Sequence, residues 1–170
     1  MEKLKQPEVW LRGPVEDIPV LLQPVAFALL QTIEELHFWL SEFPQEKLWK
    51  KPSGRASVAF HLQHLTGVLD RMLTYAKAKK LSEDQFQYIK LEGVQNNALS
   101  IKELLKAFED NVEEALSFFK TLDSETLTET RTVGRKELPS TLFGLLFHAG
   151  EHSQRHLGQL LVTVSVLKAD

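Results

Sequence analysis

Apolar positions recur at three- and four-residue steps over four long segments, the period of helices that bury one face. From about Val20 to Phe43 the series is Leu21, Leu22, Val25, Leu29, Ile33, Leu36 and Leu40. Pro24 is tolerable there only near a first turn, and Pro44 ends the run. A second series (Val58, His61, Leu62, Leu65, Val68, Leu69, Met72, Leu73, Ala76) follows Ser57 as N-cap and reaches about Lys79. Ser100-Ile101-Lys102-Glu103 is a capping box opening a third helix through about Lys120, carried by Leu104, Leu105, Phe108, Val112, Leu116 and Phe119. Pro139 suits a helix start, so Ser140 to about Leu167 form the fourth and most apolar helix.

The segments between are polar or broken. Gln45 to Ala56 hold Trp49, Pro52 and Gly54 and read as a loop. Ser82-Glu83-Asp84-Gln85 is another capping box, predicting a short helix in a connection that runs to Leu99. Residues 121–138 are rich in Thr and contain Gly134, which predicts a loop or small hairpin with Thr130 to Val133 extended. The chain is therefore expected to be all-α, an antiparallel four-helix bundle. Its connections exceed about ten residues, longer than an ideal up-down bundle needs, and leave room for a crossover and a pocket wall. Residues 1–19, with Pro7, Gly13, Pro14 and Pro19, read as an N-terminal arm pinned by Trp10 and Leu11. Residues 20–170 form the single bundle domain.

Composition removes several classes of function. The 170-residue chain can bury a sizeable core as one domain. A net charge of -3, and no basic run beyond Lys77, Lys79 and Lys80 at a helix end, give no reason to bind nucleic acid. Without cysteine there are no disulfides, thiolate ligands or cysteine nucleophile. The charged N-terminus with Pro7 lacks a signal peptide's apolar region, and no apolar run approaches the ~18 residues of a membrane span. No membrane partner and a cytoplasmic location are expected. No glycine pattern for nucleotides and no G-x-S-x-G is present.

What remains is histidine. His148, His152 and His156 lie four apart on the last helix, and His61 and His64 share the second. Buried imidazoles need partners for both nitrogens, and one metal ion satisfies several at once. Residues four apart rise about 6 Å, so two neighbours can converge on an ion, whereas His148 and His156 are about 12 Å apart along the axis. The ligands are then His148 with His152, or His152 with His156, joined by His61 or His64. Three imidazoles leave an open position, as catalytic metals require. The pattern is not H-E-x-x-H, because Ser153 follows His152 and Ala149 follows His148. Glu151 points about 100° away from His152 and reads as a pocket-edge or surface carboxylate. Gly67 and Gly158 lie inside helices, where close packing is the expected reason. Asp70 is too far from His64 to share its direction.

Two motifs then carry a resemblance. Ser57-Val58-Ala59-Phe60-His61-Leu62-Gln63-His64-Leu65 resembles the second helix of the DinB/YfiT-like superfamily. His148 through Gln159 resembles its H-x3-H-x-G-Q signature, and Trp10-Leu11-Arg12-Gly13-Pro14 with Leu22-Gln23-Pro24-Val25 is similar to one branch. The resemblance covers nearly the whole chain. It implies a four-helix bundle, often a homodimer, with a divalent metal, zinc or nickel, on three histidines. Carried over by position, these are His64, His152 and His156, with His61 and His148 as neighbours of the site. It further implies a thiol S-transferase that joins a thiol such as bacillithiol, mycothiol or glutathione to an electrophilic substrate, since a cationic metal stabilises a thiolate. The alternatives are a metal-dependent hydrolase using metal-bound water, and a non-catalytic metal-binding or interaction domain.

Overall fold

A computed structural model describes residues 6–169, so the first five residues of the expected arm, and Asp170, lie outside the described residues. Four long helices form the bundle: α1 (Gln23–Leu40), α2 (Val58–Ala76), α4 (Ile101–Phe119) and α5 (Leu142–Ala169). The short α3 (Glu83–Leu91) lies between α2 and α4. The caps read from the sequence are present. Ser57 Oγ accepts from Phe60 N, and Ser82 with Gln85 and Ser100 with Glu103 close reciprocal boxes. Each cap satisfies amide protons that the first turn leaves without a helical acceptor.

α2 and α5 run antiparallel, with His61 facing His156 and His64 facing His152. α1 runs parallel to α5: Gln154 Nε2 donates to Ala28 O at 2.8 Å, and Lys168 Nζ donates to Trp39 O further along. α4 likewise follows α2, with Asn111 Nδ2 donating to Thr66 O and Lys77 Nζ to Glu114. Each long helix thus has one parallel and one antiparallel neighbour. The long connections expected from the sequence are what permit this order, because a short loop can only return the chain antiparallel. Fully buried Leu22, Leu29, Leu36, Leu62, Leu69, Phe108, Phe119, Leu146 and Leu160 fill the centre, each stabilising the fold by about 1.5–3 kcal/mol at most.

α1 begins at Gln23 after a 3-10 turn (Val20–Leu22), with Pro24 in its first turn as that proline required, where no amide partner is lost. Two expectations need correction. α5 begins at Leu142 and not at Ser140. Pro139 sits in strand β2 (Leu138–Thr141), which pairs antiparallel with β1 (Thr130–Val133), and Thr141 Oγ1 accepts from Gly144 N to open the helix. A two-stranded hairpin has only edge positions, which tolerate proline. Finally, Trp10 and Leu11 are exposed and do not pin the arm. Val9 does so, buried and donating its amide to Gln31 Oε1 at 2.9 Å, with Arg12 forked on Glu34 at 2.6 and 2.8 Å.

Candidate metal centre

Antiparallel packing of α2 on α5 brings four imidazoles into one cluster between the helices. His64, His152 and His156 each offer a ring nitrogen, all within 4.8 Å of one another. Ring centroids are 4.4 Å apart for His152 and His156, 4.5 Å for His64 and His156, and 5.1 Å for His64 and His152. His64 Nε2 lies 3.0 Å from His152 Nε2, close to the separation of about 3.3 Å expected for two nitrogens on a tetrahedral ion with bonds of about 2.0–2.1 Å.

Two of the other three nitrogens are engaged on the outside of the cluster. His64 Nδ1 is 2.6 Å from Glu92 Oε2, and an ionised carboxylate only accepts, so this nitrogen carries the proton. His156 Nδ1 meets His61 Nδ1 at 3.1 Å, which leaves Nε2 as the free nitrogen of His156. His152 Nδ1 is buried with no hydrogen-bond partner among the described residues. Burial first, then the neighbouring imidazoles, pushes the pKa of His152 down to about 4; burial, His64 and Arg155 do the same to His156. His61 is also lowered to about 4, by burial and then by His156 and His64. Uncharged imidazoles with free lone pairs are what a divalent cation requires. The donor set therefore fits such an ion.

The remaining residues fall into place around it. His61 is buried behind His156 and is not in the three-nitrogen group. The His148 ring lies 5.0 Å from that of His152 between centroids, tilted by 48°, and its half-buried side chain leans toward Glu151. His148, Glu151 and His152 could also converge on an ion. In that second group, however, Glu151 is committed to Arg155 at 2.5 and 2.6 Å, which holds its carboxyl below the usual range. Asp70 accepts from Gln85 Nε2 and serves the packing of α3. The sixth histidine, His37, pairs with Glu109 between α1 and α4.

Sequence reasoning missed Glu92, Arg71 and Phe60. Phe60 stacks on His64 with ring centroids 5.2 Å apart and planes 13° from parallel. Glu92 accepts from Arg71 Nη1 at 2.6 Å as well as from His64. Burial pushes its carboxyl up, but the two hydrogen bonds outweigh burial and hold it below the usual carboxylate range. Gly67, expected to permit helix packing, does so for α3, since a Cβ there would lie 2.8 Å from Tyr88 Cε1, and it also leaves room for Glu92 and Arg71. Gly158 has open space around it and no close helix.

A family model described as the DinB superfamily matches residues 28–160. Among solved structures the chain is similar to a conserved protein from Enterococcus faecalis, at 16% identity over 88% of this chain and 98% of that one, with a TM-score of 0.67. It is also similar to a protein from Streptococcus pneumoniae, at 14% identity over 85% and 88% of the two chains, with a TM-score of 0.62. These likenesses are of fold alone. No curated protein matches the chain.

Proposed function

The chain belongs to the DinB superfamily, and from that premise we propose a divalent-metal-dependent enzyme, its ion held by His64, His152 and His156 and its reaction a thiol S-transfer. The observation that carries this reading is the convergence of three imidazole nitrogens, all within 4.8 Å of one another. Zinc or nickel suits an all-imidazole set. When bound, such a cation supplies Lewis acidity that stabilises a thiolate near neutral pH.

The protein's own residues prepare the place. Glu92 orients His64, His61 fixes His156, and the Phe60 ring covers one face of His64 against water. His148 and Arg155, both paired with Glu151, flank the cluster on its solvent side, the side open to a substrate in this reading. A hydrolase would use the same ion differently, with metal-bound water as the nucleophile near neutral pH, and the same three imidazoles would serve it.

The test is to load the purified protein with Zn²⁺ or Ni²⁺ and assay it with a panel of low-molecular-weight thiols and a chromogenic electrophile, beside a panel of esters. Metal-dependent thiol consumption is the expected result. Ester cleavage without thiol turnover would replace the transferase by the hydrolase, and no turnover of either would leave a metal-binding domain.

A further inference from the structure

Glu92 caps the C-terminus of α3, outside the four helices that build the bundle, yet its side chain is only 8% exposed. One oxygen accepts from His64 Nδ1 and the other from Arg71 Nη1, both at 2.6 Å. The slot that receives it is made by Gly67, one turn from both His64 and Arg71 on α2. A Cβ there would collide with Glu92 Oε1 and lie 2.7 Å from Arg71 Nη1 and 2.8 Å from Tyr88 Cε1. The backbone on either side is pinned as well. Tyr88 donates its hydroxyl to Gln63 O at 3.1 Å, and Gly93 N donates to Gln63 Oε1 at 2.8 Å. Among the described residues, only His64 of the three clustered histidines has an anionic partner on its outer nitrogen; His156 has a neutral imidazole and His152 Nδ1 has none.

We propose that Glu92 is the positioning residue of the metal centre: clamped by Arg71 in the slot at Gly67, it fixes the tautomer and direction of His64 and strengthens Nε2 as a donor to the ion. This rests on the three-histidine reading above. A carboxylate on the outer nitrogen of a ligating imidazole both orients the ring and increases the electron density the metal receives. It also ties the connection carrying α3 to the state of the site.

The experiment titrates Ni²⁺ into wild type, Glu92→Gln, Gly67→Ala and His152→Ala against a chromogenic chelator. Alongside it, proton NMR of Co²⁺-loaded protein follows exchangeable imidazole protons. Wild type is expected to bind one equivalent and His152→Ala to lose binding. Glu92→Gln keeps the stoichiometry with affinity reduced by about 10–100-fold, and the His64 Nδ1 proton signal shifts or exchanges away. Gly67→Ala, which displaces the carboxylate without removing its charge, moves affinity the same way and decides the question if Glu92→Gln does not fold. Wild-type affinity and an unchanged proton signal in folded Glu92→Gln, with binding lost in His152→Ala, would overturn the positioning role and leave the metal reading intact. Absence of saturable binding by wild type would overturn both.

Discussion

His61 and His156 meet Nδ1 to Nδ1 at 3.1 Å across the α2–α5 interface, so the buried histidine of the pair supports the other from behind. His61→Ala is expected to leave about one equivalent of metal bound, with affinity lower by about 10-fold or more. His64→Ala is expected to remove the metal. Metal analysis of the two purified variants checks this, and the reverse outcome would sink the ligand assignment.

A cluster of uncharged imidazoles makes apo stability depend on pH. His61, His152 and His156 are lowered to about 4 in the folded protein, against about 6.5 in an unfolded chain. Between those values the unfolded state binds more protons, so stability is complete above about pH 6.5 and falls as pH drops toward 4. Melting of metal-free protein followed by circular dichroism should show that decline, whereas a flat profile would contradict it. Protons compete for the same lone pairs only where the folded imidazoles titrate, so the Ni²⁺ affinity of the folded protein should fall most steeply as pH passes below about 4.

Bound metal should stabilise the bundle by mass action. At a free concentration of 100 times Kd the gain is about 2.7 kcal/mol, or roughly 5–10 °C in Tm for a chain of this size. Zn²⁺ and Ni²⁺ should each produce it, and His152→Ala should abolish it. Differential scanning calorimetry with and without a chelator reads the shift.

Two helical glycines should answer the same substitution with opposite signs. Gly158 is exposed, and a methyl added there would meet nothing within 4 Å. Gly158→Ala should therefore stabilise by up to about 1 kcal/mol through helix propensity and leave metal stoichiometry unchanged. Gly67→Ala should destabilise, because its methyl has no space. Urea unfolding of the two variants separates them.

Helical periodicity and caps were legible in the sequence because both are local. Ser57, Ser82 and Ser100 all sit where the side-chain pattern placed them. The histidines were legible as a set, since spacing along one helix limits which neighbours can converge. The choice of His64 over His61 was not, because it depends on the rotation of α2 against α5, and only the resemblance supplied it. Glu92 was invisible for a different reason. It stands 28 residues from His64, in a connection with no periodic pattern of its own. The signal that could have found it is Gly67, a glycine inside a helix one turn after a candidate ligand. Pro139 misled because proline suits both a first helical turn and a hairpin edge.

The two helices that meet at the histidine cluster are distant in the chain: His64 and His152 are separated by 88 residues. Closing a loop of that length costs entropy before His64 can join the local pair of His152 and His156, so an ion contributes little while the chain collapses and most once α5 has docked. It would act as a latch on a finished structure, slowing unfolding far more than it speeds folding. Fragments ending before α5 would hold only the α2 histidines of the cluster, so metal capture by a growing chain would report that its last helix is in place.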